Sequence, residues 1–197
     1  MRMDTFVIEG GKPLRGKINI SGSKNAVLPI MAAALLSSDT TVIENVPHLR
    51  DVHTMGKLLT ALGARVESSN HRVTIDTRRV RSFEASYDLV RTMRAGALVM
   101  GPLLARFKKA RVSLPGGCAI GARPIDIHLK GFETLGAKIS LKEGYVHLDI
   151  INPPKRAIKL SFPSVGATEN LMMYAASLPH KTVIQNAARE PEITDLA

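Results

Sequence analysis

Leu58 to Asp76, LLTALGARVESSNHRVTID, and Gly131 to Asp149, GFETLGAKISLKEGYVHLD, match closely at the level of residue class. Each reads as the end of an amphipathic helix, a Leu-Gly-Ala stop, a strand, a polar turn and a second strand. The two triplets begin at Leu62 and Leu135, 73 residues apart. A second pair lies further out: Thr41-Val42-Ile43-Glu44-Asn45 returns as Thr182-Val183-Ile184-Gln185-Asn186, 141 residues later and close to two such periods. The strand Ala110-Arg111-Val112-Ser113-Leu114 is the copy between them. The chain is therefore an α/β protein built on a unit of roughly 70 residues, ordered strand, helix, strand, helix, strand, strand. The unit is begun three times. By the spacing of the first, the third should reach its own Leu-Gly-Ala only about 6 residues past Ala197, so the expectation is a piece of a longer protein, truncated in the third repeat.

Composition narrows the class. Hydrophobic residues make up 45% against 22% charged, the balance of a folded chain. The start, MRMDTFVIEGGKPLRG, has no apolar stretch of signal-peptide length. The longest apolar runs, Ala26 to Leu36 and Ala95 to Ala105, are about half the roughly 20 residues of a membrane span. They read as buried helices, and the expected location is the cytoplasm. One cysteine and six scattered histidines give neither a disulfide framework nor a zinc spacing, so no metal or disulfide scaffold is expected. The net charge of +10 raises nucleic acid as a partner. Yet the basic residues are dispersed and aromatics are only 4%, which favours a solvated face or a pocket for small anions, and neither nucleic acid nor membrane as a partner.

Three segments could carry chemistry. Ile18-Asn19-Ile20-Ser21-Gly22-Ser23-Lys24-Asn25 precedes an apolar run and reads as a strand, a small-residue turn and a helix start, with Ser21 or Ser23 as the cap. Free backbone N–H groups and Lys24 would there favour an anion. Asp88 to Phe107 reads as one helix, with Arg91 and Arg94 sharing a face in its first turn, where cations oppose the helix dipole; an anionic ligand and a surface ion pair explain them equally. Leu114 to His128, LPGGCAIGARPIDIH, concentrates glycine and proline around Cys118 with Arg123 five residues on. That setting favours the thiolate, and such a loop can close over a substrate; the plainer reading is a glycine-rich hairpin. No G-x-S-x-G elbow and no G-x-x-x-x-G-K-[ST] loop is present.

SGSKN, LPGGCAIGARP, SVGAT and NAAREPEI, in this order, resemble the enolpyruvyl transferases over the whole chain. The resemblance implies an inside-out α/β barrel of three such repeats, helices within and sheets outside. It further implies that residues 1–21 are strands belonging to a second, mostly absent domain, and that residues 22–197 form the first, incomplete at its end. The cysteine loop resembles that of the family members acting on UDP-N-acetylglucosamine. It implies transfer of the enolpyruvyl group of phosphoenolpyruvate to the sugar 3-hydroxyl with release of phosphate, the first committed step of peptidoglycan synthesis. By the same resemblance, Lys24 contacts phosphoenolpyruvate and Asn25 helps hold the sugar, while Arg94 and Arg123 add positive charge. Arg123, Pro124, Ile125, Asp126 and Ile127 line the uridine-nucleotide pocket, with Ser164 nearby. Cys118 is the general acid and forms a covalent adduct with phosphoenolpyruvate.

The resemblance implies no cofactor, and places the usual base, an aspartate, beyond Ala197, so that these residues alone are expected to be inactive. At Phe162, two residues before Ser164, some family members carry a lysine that contacts the nucleotide. Two other readings stay open: a catalytically silent binding paralogue, and a basic module that binds phosphate or nucleic acid without turnover.

Overall fold

The computed structural model describes residues 5–11, 13–90, 93–113 and 125–197, without the side chain of Arg94. The repeat appears in it as three small sheets around a helical centre. The first unit contributes α1 (Lys24–Ala33), which runs on as a 3-10 turn through Leu36. It continues with β1 (Thr40–Ile43), α2 (Arg50–Ala61), β2 (Arg65–Ser69) and β3 (Arg72–Asp76). The second has β4 (Glu84–Ala85), α3 (Tyr87–Val90), a 3-10 turn Arg94–Val99, α4 (Met100–Phe107), β5 (Lys109–Ser113), α5 (Asp126–Thr134), β6 (Ala137–Lys142) and β7 (Tyr145–Ile150). The third has β8 (Ala157–Lys159), α6 (Val165–Ala175), β9 (Val183–Gln185) and α7 (Pro191–Leu196).

The two matched stretches fold alike because their turns demand the same backbone. Gly63 and Gly136, in the Leu-Gly-Ala triplets, have φ of +105° and +95°, the left-handed helix stop that only glycine adopts without strain. The hairpins β2–β3 and β6–β7 both turn on two residues of positive φ, Asn70-His71 and Glu143-Gly144, the conformation that matches strand twist. Asn45 and Asn186, ending the other matched pair, share φ of 55° and 56°.

Sheet order shows the unit at different stages of completion. The second unit makes four strands, β4-β5-β7-β6, with β4 parallel to β5 and the remainder antiparallel. The first makes β1-β3-β2 and the third the parallel pair β8-β9. The outer edge of β1 therefore has no described strand where β4 stands beside β5. Ile18-Asn19-Ile20, read from sequence as a strand, has no regular structure, and Ile18 and Ile20 are 84% and 83% exposed. A strand is defined by its neighbour, and none of the described residues pairs with this one.

The apolar runs become the centre. In α1, Val27, Leu28, Met31 and Ala32 are buried; in α4, Met100, Leu103 and Leu104; in α6, Leu171, Met173 and Tyr174. Asp88 to Phe107 is not one helix, however. Met93 is extended (φ −146°, ψ 120°), and α4 begins at Met100. Pro102 explains that start: it has no N–H to give, which costs nothing in the first turn and would break a bond in a helix arriving from residue 88. Arg94 thus opens a 3-10 turn, and Arg91 lies outside the described residues.

One contact sets the distance between α4 and α6. A Cβ on Gly101 would stand 2.2 Å from the Asn170 backbone oxygen, so only glycine permits the approach. The Asn170 side chain, fully buried, occupies the same contact. Its Oδ1 accepts from Gly101 N (2.8 Å), and its Nδ2 donates to Ala97 O (3.0 Å) and to His128 Nδ1 (3.1 Å). Replacing Asn170 with Leu strands the Gly101 N–H and the Ala97 carbonyl, at about 1–3 kcal/mol for each buried group, and Gly101→Ala forces the helices apart at about 1–3 kcal/mol. Urea unfolding should show both losses, the larger for Asn170→Leu.

Candidate functional site

The site is assembled from helix beginnings. Ser23 caps α1, its Oγ accepting from Ala26 N at 3.4 Å, which satisfies one of the first-turn donors and leaves Lys24 and Asn25 as the first two helical residues. Each is held by an acid from another helix start. Lys24 Nζ lies 3.2 Å from Oδ2 of Asp51, in the first turn of α2. Asn25 Nδ2 donates to Oε1 of Glu192, in the first turn of α7, at 3.3 Å. Both acids sit where a helix dipole favours negative charge. Helix α1 packs against α2, α7 and the 3-10 turn that Arg94 opens.

Helix α6 joins this group from the far side. Ser164 caps it, accepting from Ala167 N at 3.3 Å, and Thr168 Oγ1 accepts from Ala188 N at 3.0 Å, tying the approach to α7 onto α6. A cavity of about 640 Å³ lies here, lined by Pro163, Asn186, Arg189 and Glu190 among others. The next residue, Glu169, is a buried acid within α6. It is only 4% exposed and has neither a hydrogen bond nor an ion pair with any described residue. Burial, with a smaller contribution from the charge of Glu192, pushes its carboxyl up to about 7.

Of the residues singled out from sequence, Lys24 and Asn25 stand together at the start of α1. Ser164 is joined to the same region through Thr168 and Ala188, and Arg94 opens a turn packed on α1. Ile125 precedes α5, Asp126 is exposed in its first turn, and Ile127 is partly buried against the core. They meet the α6 start through His128, whose ring lies against Gly166. Phe162 points outward, 63% exposed. Cys118, Arg123 and Pro124 lie outside the described residues. Sequence reading missed Asp51, Glu192 and Glu169; for the last, the signal was a lone acid within VGATENLMMYA.

The chain matches the EPSP synthase (3-phosphoshikimate 1-carboxyvinyltransferase) family over residues 8–197. It is 55% identical over 195 residues to UDP-N-acetylglucosamine 1-carboxyvinyltransferase 2 of Carboxydothermus hydrogenoformans, covering 99% of this chain and 46% of that protein. It is 56% identical over 196 residues to UDP-N-acetylglucosamine 1-carboxyvinyltransferase of Shewanella amazonensis, covering 99% and 47%. The chain thus spans about half the length of the curated relatives it matches. Among solved structures, the enolpyruvyl transferase NikO from Streptomyces tendae superposes with a TM-score of 0.80 at 24% identity, over 95% of this chain and 44% of that one. An EPSP synthase from Acinetobacter baumannii gives 0.65 at 16%, over 91% and 42%.

Two buried titrating groups give opposite pH signatures. Glu169 has a folded value above its ordinary one, so its favourable neutral form is secured below about 4.5 and is lost as pH rises through about 7. His128 is pushed down to about 4 by burial, so its contribution is present above about 6.5 and lost as pH falls through about 4. Between those limits the two slopes oppose each other and the wild-type profile is shallow. Glu169→Gln should raise the melting temperature at pH 8 by about 2–6 °C and uncover stability that increases with pH. His128→Asn, which keeps an acceptor for Asn170, should uncover the reverse slope. Thermal melts from pH 4.5 to 8 check both.

Proposed function

The chain belongs to the EPSP synthase family, and on that premise we propose that the protein carrying it moves the enolpyruvyl group of phosphoenolpyruvate onto the 3-hydroxyl of UDP-N-acetylglucosamine, releasing phosphate, in cytoplasmic peptidoglycan synthesis. The observation that carries this reading is the run of relatives named for that sugar nucleotide, 52–56% identical over 99% of the chain. The structural likenesses, all under 25% identical, support the fold alone.

The site residues suit the reaction. Phosphoenolpyruvate and a nucleotide diphosphate are both multiply anionic, and Lys24, Arg94 and Arg123 supply fixed positive charge, with α1 adding its first-turn N–H groups. Arg123, Pro124, Ile125, Asp126 and Ile127 take the uridine side, with Ser164. Cys118 gives its proton to the methylene carbon of phosphoenolpyruvate as the sugar 3-oxygen bonds to the neighbouring carbon and its hydroxyl proton passes to a base. Loss of a proton from the new methyl and departure of phosphate restore the double bond. A thiol is apt for the first step because its pKa is readily tuned by neighbouring cations.

The other half of the enzyme, about the length by which the relatives exceed this chain, would supply that base. It would also cover the N-terminal segment: Phe6, Val7, Ile8, Ile18 and Ile20 are all more than four-fifths exposed, more apolar surface than residues 1–21 would leave open without a partner. On this reading residues 22–197 are one domain of two, and a protein of these 197 residues alone is inactive.

In the full-length enzyme, Cys118→Ala should remove most turnover, about 10²-fold or more, as expected for loss of a general acid, while sugar-nucleotide binding persists. Peptide mass spectrometry should find an adduct on Cys118 after exposure to phosphoenolpyruvate or the epoxide fosfomycin, formed faster with UDP-N-acetylglucosamine present. A Cys118→Ala enzyme of near wild-type rate, or no adduct under either condition, overturns the assignment.

A further inference from the structure

Asn25 has an amide, and an amide has two faces. One side is an acceptor oxygen and the other a double donor, and a ligand meeting Asn25 is read differently by each. Which side it meets is settled by whatever holds the other. Here Nδ2 donates to Glu192 Oε1 at 3.3 Å, and an ionised carboxylate has no hydrogen to offer, so only the NH₂ side can face it. Oδ1 is thereby left for the ligand.

We propose that Glu192 is a positioning residue for the sugar nucleotide: by accepting the Asn25 N–H, it presents Asn25 Oδ1 as an acceptor to an N–H or O–H of the sugar. This rests on the functional reading above, in which Asn25 faces UDP-N-acetylglucosamine, and adds how its orientation is fixed.

Three further features hold Glu192 in that role. Pro191, at the first position of α7, sets where the helix starts, and Glu192 follows in the first turn. The bond from Ala188 N to Thr168 Oγ1 fixes the segment leading into α7 against α6, and α7 packs on α1. Glu169, beside Glu192 and deeply buried, holds its proton up to about neutral pH. Glu192, the less buried of the two acids, is the one that reaches Asn25. Asp51 plays no part in this, since it is paired with Lys24.

The test is made in the full-length enzyme, by calorimetric titration with UDP-N-acetylglucosamine and by steady-state kinetics in both substrates. Glu192→Ala should weaken sugar-nucleotide binding and raise its KM about 10-fold, the effect of losing a hydrogen bond to a charged group, with the KM for phosphoenolpyruvate unchanged. Glu192→Gln, whose carbonyl can still accept, should recover most of that loss. Asn25→Ala with Glu192→Ala should be no worse than Asn25→Ala alone, since residues acting through one another are not additive. A merely structural role would instead move both substrates and gain nothing from glutamine. If the wild-type enzyme binds and turns over the sugar nucleotide while Glu192→Ala matches it, or the double variant is additive, the positioning role is overturned and the functional reading stands. If the wild type binds no UDP-N-acetylglucosamine, the functional reading fails and this inference fails with it.

Discussion

The close approach of α4 and α6 at Gly101 and Asn170 is the constraint on which the rest of the molecule depends. Helices that meet with no side chain between their backbones have little freedom to slide, because a shift of either puts a Cβ into a carbonyl. The Asn170 amide then removes what freedom is left. It serves Gly101, Ala97 and His128 with both its donors and its acceptor, and a buried amide so satisfied specifies one arrangement where an apolar side chain would allow several. Helix α5 is tied to the same residue through His128, and Gly131 lies close against Leu171 of α6, so the second and third units are registered to each other at several points.

Around that centre the sheets follow one plan at different stages of completion, and this is why so much of the architecture is legible in the sequence. The Leu-Gly-Ala stops and the polar turns are local signals: a glycine of positive φ after a helix and a two-residue turn of positive φ between strands are decided within a few residues. They gave the hairpins β2–β3 and β6–β7 at the matched positions. The other readings depended on something distant or on competition. Ile18-Asn19-Ile20 alternates as a strand does, yet no described strand lies beside it. The run from Asp88 to Phe107 has helical composition throughout, but Pro102 competes with one continuous helix and stands in the first turn of α4, which begins at Met100.

The site divides in the same way. Lys24 and Asn25 were legible because a small-residue turn before an apolar run announces a helix start. Glu192 was not, since it meets Asn25 across 167 residues of sequence and no spacing rule reaches that far. Asp51 was equally hidden, being an ordinary first-turn acid until the packing of α1 on α2 brings it to Lys24. Glu169 could have been found, because a carboxyl among Ala, Leu and Met has to find a partner or keep its proton.

The two acids at α1 invite a question of magnitude, because an anion site whose cation is already paired would seem blocked. It is not. Lys24 and Asp51 are 49% and 38% exposed, and a pair so solvated contributes about 0–1 kcal/mol. A phosphate bringing two charges and several acceptor oxygens to a helix start outweighs that easily. On the proposed function Asp51 holds a long, flexible ammonium near the start of α1 before the anion arrives, sparing binding part of the entropy of ordering it, about 1.5–2 kcal/mol for a fully immobilised lysine. Asn25 is a different case. Its carboxylate partner takes the donor side of the amide and leaves the acceptor side open, so ligand and acid do not compete. On the proposed function one neighbour is displaced on binding and the other retained, which would let the first two residues of a single helix serve a phosphate and a sugar at once.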